Sequence, residues 1–388
     1  MTSNELALEL HKQYGGKITT ALRDSGELDR AKLSAYYSPG VGAVSTLIAH
    51  DPAKLPEYTW TNNLVAVISD GSAVLGLGNI GPEGAMPVME GKSMLFKHFA
   101  GIDSVPIVLR AHTADDIVRT VEAIAPSFGA INLEDIAAPI CFEVEERLKE
   151  SLQIPVMHDD QHGTAIVTLA GLLNACKVTG RELRYSNIII LGAGAAGVAI
   201  AKLLHEYGQR LSIDGGGSGP SIFAFDSKGI IHEGRDDLNE SKRRLLEFTN
   251  LSGNTVGMDE VIGGADIIIG VSGPGTISAD MVRKMRKDPI VFALANPDPE
   301  ILPDDARAAG AAIVATGRSD YPNQVNNAIA FPGIFRGALD HHVRHITDDH
   351  KLAAAQVIAD MVENPTAEEI IPSVFDERLV PAIAAVIN

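Results

Sequence analysis

The chain has 388 residues, enough for two domains that each bury a core of their own. A formal net charge of -18 opposes nucleic-acid backbones and anionic bilayers, and a single Trp among 5% aromatic residues argues against a base-stacking platform. Two cysteines, Cys141 and Cys176, are too few for a disulfide framework or a cysteine-rich zinc site, which suits a reducing cytoplasm.

The N-terminal stretch 1–17 mixes acids into every turn and lacks the apolar core of a secretion signal. Three short apolar runs of strand length follow in the first half: "VPIVLR" (105–110), "AINLED" (130–135) and "IPVMHDD" (154–160). Between them lie "TADDIVRTVEAIA" (113–125) and "CFEVEERLKESL" (141–152), whose apolar residues recur at helical spacing. This alternation predicts parallel strands joined by crossover helices. Ligands of an open parallel sheet bind beyond the carboxyl ends of its strands. Glu134 and Asp135 close one strand and Asp159 and Asp160 the next, so four carboxylates are expected to converge there.

The last run enters "VMHDDQHGT" (156–164), which reads either as a His158/His162 zinc pair or as a carboxylate site for a hard cation. A helical zinc pair needs both His on one helix face, and its protease form needs Glu after the first. Here Pro155 favours a strand, Asp159 stands where that Glu would be, and the helix is expected only from about Gly163. The carboxylate reading is preferred.

The second half repeats the alternation with "YSNIIILGAG" (185–194), "SIFAFD" (221–226), "ADIIIGVSG" (265–273), "PIVFALANP" (289–297) and "AAIVATGRSD" (311–320). Its most apolar run, 188–201, is broken by glycine and too short to span a bilayer. The Gly-rich "DGGGSGPS" (214–221) reads as a surface insertion. The domain boundary is expected near 160, giving domains 1–160 and 161–388.

Gly-x-Gly-x-x-Gly occurs twice, as "GLGNIG" (76–81) and "GAGAAG" (192–197), and only context separates them. Pro82 and Pro87 are expected to forbid a long helix after the first. The second follows an "IIIL" strand and opens an unbroken amphipathic run. There Gly192 fits a tight turn, Gly194 a close approach of backbone to pyrophosphate, Ala195 and Ala196 the helix start, and Gly197 helix packing. Asp226 is the acid best placed to accept from a ribose 2'-hydroxyl, which favours NAD, while Lys228 two residues on could meet the 2'-phosphate of NADP.

Taken together, "YSPGVG" (37–42), "VISDGSAVLGLGNIGPEGAMPVMEGKSMLFKHFAGID" (67–103), "NLEDI" (132–136), "HDDQHGTA" (158–165), "LGAGAAG" (191–197), "FALANPDPE" (292–300) and "GRSDYPNQVNNAIAFPGIFRGALD" (317–340) resemble malic enzyme in its short bacterial form. The segments span most of the chain in the family's order. The resemblance implies an N-terminal α/β catalytic domain of malic type and a Rossmann-like, doubly wound parallel-sheet domain for NAD or NADP. It implies oxidative decarboxylation of malate to pyruvate and CO2, dependence on Mg2+ or Mn2+, and a homodimer.

The same resemblance assigns residues. Lys92 matches the general base, a role that calls for a pKa depressed by burial or a neighbouring cation. Lys97 is the bland alternative. Tyr37 matches the proton donor to the enolate, with Tyr36 as its packed neighbour. Glu134, Asp135 and Asp160 match the metal ligands, with Asp159 behind them. Asn296 and Asn326 match residues that hydrogen-bond malate, and Asn327 is a second candidate. The arginine that larger members place before the "LGLG" loop is Ala73 here. Two rivals remain open at this point: a 2-hydroxyacid dehydrogenase that does not decarboxylate, and a catalytically silent dinucleotide-binding regulator.

Overall fold

Ten strands in two sheets organise the computed structural model, which describes residues 3–74, 76–213 and 219–388. The first sheet contains β1 (Leu64–Ser69), β2 (Asp103–Val108), β3 (Ala130–Leu133) and β4 (Val156–His158), all parallel, in the order β2-β1-β3-β4. Helices Gly81–Ala100, Ala114–Ile124 and Ile140–Ser151 make the crossovers. β1 is central and buried at every position. Sequence reading does not pick it out, because an apolar run covered on both faces has no alternation to mark it as a strand.

The register pairs Ile68 with Leu133 and Leu133 with His158, so the segments after β1, β3 and β4 leave the sheet side by side. Glu134–Asp135 and Asp159–Asp160 thus emerge at one edge, as the alternation predicts.

The second sheet contains β5 (Asn187–Leu191), β6 (Ser221–Asp226), β7 (Gly229–Ile230), β8 (Ile267–Gly270), β9 (Ile290–Ala293) and β10 (Ile313–Thr316) in the order β10-β9-β8-β5-β6-β7. Counted from β5, this is the doubly wound arrangement, with the short antiparallel β7 where its third strand would lie. Leu191, Gly270, Ala293 and Thr316 are in register, so four loops open along a single edge. The surface insertion expected at 214–221 falls mostly on 214–218, outside the described residues.

Two expected helix boundaries are corrected. The helix after "GLGNIG" runs unbroken from Gly81 to Ala100. Pro82 sits in its first turn, where the missing N–H has no intrahelical partner to lose, and the helix continues through Pro87. Prolines therefore do not distinguish the two glycine fingerprints. Likewise, the helix after β4 starts at Asp159 rather than near Gly163 and continues to Thr179, where Gly180 at φ 67 ends it. This helix is buried from Ala165 to Cys176 and lies in a single apolar cluster with Val65, Phe96 and Met157 of the first sheet layer and Ile188, Phe292 and Phe331 of the second. It joins the two halves and carries Asp159 and Asp160 at its N-terminus.

Candidate active site

Lys92 lies on helix Gly81–Ala100 and is only 7% exposed. Its Nζ donates to Asp159 Oδ2 at 2.5 Å, pairs with Glu134 Oε1 at 2.8 Å and stands 4.2 Å from the Phe331 ring centroid. Glu134 Oε2 accepts from Asn132 Nδ2 at 2.9 Å, and Asp160 Oδ2 accepts the Asp135 N–H at 2.7 Å. Asp135 adopts φ 53, a left-handed conformation that Asp tolerates better than most residues, and its carbonyl accepts the Ala73 N–H. Gly163 makes the cluster possible: a Cβ there would come within 2.9 Å of Asp159 Cγ, and closer still to Oδ1.

The electrostatics correct one expectation. Burial on its own would lower the Lys92 pKa, but Asp159, Glu134 and Asp160 outweigh it and hold the ammonium well above its ordinary value. The carboxylates respond in kind. Burial pushes Asp159 and Asp160 up to about 6 despite the pull of Lys92, and Glu134 is raised for the same reason. Three carboxylates, Glu134, Asp159 and Asp160, thus surround one buried ammonium, an excess of negative charge that a low-dielectric site accommodates only by taking up protons or a cation.

All-oxygen donors with surplus charge are the chemistry of Mg2+ or Mn2+ sites. In that respect Glu134, Asp135 and Asp160 fit a divalent cation. Their present contacts are to Lys92, Asn132 and the Asp135 amide, and no three His, Cys, Asp or Glu side chains among the described residues are arranged to hold one ion.

His158 and His162 do not form a zinc pair. His158 caps the helix from the end of β4, and burial keeps its ring neutral. Burial also lowers His162 to about 3, and its Nε2 pairs with Glu145 Oε2 at 2.8 Å. Glu145 in turn accepts the His158 N–H at 3.0 Å and ties helix Ile140–Ser151 to the start of the acid-bearing helix.

The second glycine fingerprint has the geometry of a dinucleotide turn. Gly192 holds φ 118, and a Cβ on it would meet Val271 O at 2.5 Å; one on Gly197 would come within 2.9 Å of Gly192 C. Gly194 has nothing within 4 Å, leaving its backbone open to a ligand. Ala195 and Ala196 begin helix Ala195–Ile213, Ala195 against the first sheet's core and Ala196 against the shared cluster. The first fingerprint serves contact between the halves: a Cβ on Gly76 would meet Asn296 O at 2.8 Å.

Asn296 is half-buried at the same edge, and Gly317 leaves room for its side-chain amide. Asn326 accepts the Ala328 N–H at 2.9 Å, and the adjoining Asn327 lies 3.0 Å from where a Cβ on Gly163 would be, which brings this loop against the acid cluster. Glu300 went unassigned in the sequence reading. It is fully buried, accepts from the Ser272 and Ala295 N–H groups at 2.8 and 3.0 Å, and so ties the loops after β8 and β9 together. Its only signal was its place at the end of "FALANPDPE".

Asp226 closes β6 but is not an open acceptor. Arg235 grips it with two bonds at 2.8 and 3.0 Å, Lys242 Nζ lies at 2.6 Å, and the Lys228 N–H at 2.9 Å. Although partial burial opposes it, these donors hold Asp226 down at about 2. Tyr36 donates to Asp24 Oδ2 at 3.0 Å, whereas Tyr37 is 72% exposed and its phenol makes no hydrogen bond among the described residues.

Comparison with known proteins gives a consistent result. Residues 161–386 match the family model described as malic enzyme, NAD binding domain, and residues 22–116 and 111–149 match that of the malic enzyme N-terminal domain. The chain is 52% identical to the bifunctional malic/malolactic enzyme of Bacillus subtilis, covering 99% of this chain and 92% of that one. It is 47% identical to the NADP-dependent malic enzyme of Halomonas elongata, over 95% of this chain and 84% of that one. The crystal structure of the NAD-dependent malic enzyme of Thermotoga maritima superposes with a TM-score of 0.92 at 46% identity, covering 98% of both chains.

Proposed function

The chain belongs to the malic enzyme family, and from that premise we propose that it converts (S)-malate to pyruvate and CO2 while reducing NAD(P)+. The observation that carries this reading is a buried lysine set among three carboxylates, Glu134, Asp159 and Asp160, on the sheet edge that adjoins a dinucleotide turn. A dehydrogenase that released oxaloacetate would have no need of such an acid cluster.

Residues 1–160 form the substrate-binding part and 161–388 the dinucleotide part. Lys92 takes the proton from the C2 hydroxyl as hydride leaves C2. Asp159, at 2.5 Å, orients the lysine amine. Loss of the C4 carboxyl as CO2 leaves an enolate, and Tyr37 delivers a proton to C3. Lys92 then returns its proton to Tyr37, so the hydroxyl proton ends on C3 and both groups are restored. Asn296 and Asn326 orient malate from the second part. A divalent cation held by Glu134, Asp135 and Asp160 would polarise the C2 oxygen and offset the negative field that keeps Lys92 protonated.

At the adenosine end, Arg235 and Lys242 already saturate Asp226. We read this rim as suited to the 2'-phosphate of NADP, with Lys228 on its exposed side. Buried free thiols at Cys141 and Cys176 agree with a reducing cytoplasm. Among the described residues no helix is long and apolar enough to cross a membrane.

The test is direct. With malate, Mn2+ and either NAD+ or NADP+, the purified protein should form reduced cofactor and pyruvate in equal amounts. Failure to form either with both cofactors would overturn the reading.

A further inference from the structure

Hydride transfer is sensitive to placement, and an error of about 1 Å in the reacting geometry costs on the order of a hundredfold in rate. Two loops of the second sheet govern that placement. The loop after β8 backs the dinucleotide turn: a Cβ on Gly192 would meet Val271 O at 2.5 Å, and one on Gly197 would lie 3.4 Å from Val271 Cγ2. The loop after β9 carries Asn296, whose amide reaches back to Leu294 O at 3.4 Å. One loop therefore seats the cofactor and the other presents a group for malate.

The loops leave the sheet as neighbours, where the Leu294 N–H donates to Gly270 O at 3.0 Å. Beyond that point Glu300 joins them. Its Oε1 accepts the Ser272 N–H at 2.8 Å, next to Val271, and its Oε2 accepts the Ala295 N–H at 3.0 Å, next to Asn296. Its own carbonyl accepts the Ile277 N–H at 3.3 Å, which closes the far end of the β8 loop. Gly270 leaves the space for this arrangement, since a Cβ there would stand 2.5 Å from Glu300 Cδ.

The chemistry of the clamp is specific. A carboxylate offers two acceptor oxygens to two N–H groups, whereas an amide of the same shape matches only one of them. Glu300 is fully buried, and burial raises its pKa although the N–H donors oppose the shift. Charge is thus held here against a desolvation cost, in a place where it divides its two oxygens between the cofactor side and the substrate side.

We propose, resting on the malate reading above, that Glu300 is the positioning residue that sets the distance between malate C2 and the nicotinamide, one oxygen fixing the loop behind the Gly192 turn and the other the loop that presents Asn296. It acts through Val271 and Asn296 and takes no part in the chemistry itself.

Glu300→Gln tests this, because it keeps the volume and turns an NH2 group toward one of the two backbone N–H donors. Formation of reduced cofactor from malate is followed by absorbance in a single turnover with enzyme in excess. The rate constant reports hydride transfer in folded molecules, while the amplitude reports how many are folded. Positioning predicts a rate constant lower by roughly ten- to a hundredfold, with the KM for malate and for cofactor changed by less than about threefold. A residue that only supports the fold would lower the amplitude and leave the rate constant at its wild-type value. An unchanged rate constant overturns the proposal, whatever the amplitude. Should Glu300→Gln not fold, Glu300→Asp, which keeps the charge but withdraws both oxygens by one methylene, is measured in its place with the same expectation. A wild-type protein that forms no reduced cofactor from malate with NAD+ or NADP+ would instead refute the malate reading, so the two failures are told apart.

Discussion

Gly163→Ala tests the internal logic of the acid cluster, because two general effects of known size oppose each other there. Gly163 lies inside helix Asp159–Thr179, where alanine is worth about 1 kcal/mol more than glycine in helix propensity. Propensity alone therefore predicts a more stable protein. The added Cβ would, however, stand 2.9 Å from Asp159 Cγ, where ordinary contact begins near 3.4 Å, so the carboxylate must retreat by at least about 0.5 Å. Asp159 is fully buried and its Oδ2 receives the 2.5 Å bond from Lys92, so the retreat loosens a charge-assisted hydrogen bond worth about 1.5–3 kcal/mol. The second effect is the larger. We expect a net loss of about 1–2 kcal/mol in stability and, because Lys92 loses the group that orients it, a fall in kcat of roughly ten- to a hundredfold with the cofactor KM unchanged. Thermal unfolding and initial rates of reduced-cofactor formation measure both. A variant with unchanged kcat and a raised Tm would show that Asp159 does not position Lys92.

Lys92→Ala should abolish malate oxidation while leaving cofactor binding intact by isothermal titration; retained turnover would remove Lys92 from the mechanism. Mn2+ should raise the Tm of the wild type and raise it much less in Asp135→Asn, whatever the activity of either, and equal shifts would place the cation elsewhere. Asp226 is pulled from an ordinary 3.8 to about 2 in the folded state, so its contribution of roughly 2 kcal/mol is present above pH 4 and lost as pH falls toward 2; Asp226→Asn should be less stable at pH 7 and lose less on acidification, as acid-unfolding curves would show. Paired Michaelis curves should give a higher kcat/KM with NADP+ than with NAD+, and Lys228→Ala should narrow that ratio; a strong NAD+ preference would return Asp226 to its role as ribose acceptor.

The parts of the site that lie along the chain were legible in the sequence. Strand ends give the positions of Glu134, Asp135, Asp159 and Asp160, because a parallel sheet brings its carboxyl ends to one edge and the register confirms that they do so. The dinucleotide turn was legible as well, since Gly192 and Gly197 lack side chains for steric reasons that spacing encodes. The corrections concern contacts between distant residues. Sixty-seven positions separate Lys92 from Asp159, so no local pattern could indicate that this lysine sits inside the acid cluster and that the carboxylates raise its pKa. The hold of Arg235 and Lys242 on Asp226 was likewise not legible, because they reach it only after β6 has turned back through β7.

The same distinction explains why a proline argument failed while a glycine argument succeeded. Whether Pro82 breaks a helix depends on whether it falls in the first turn, and a shift of a few residues in the helix start reverses the answer. Whether Gly197 can carry a side chain depends on Gly192 only five residues away in the same turn, so chain geometry alone fixes that contact. Tyr37 is the extreme case: its assignment rests on a motif, and the fold leaves its side chain 72% exposed, a placement that no local pattern in the sequence foretells.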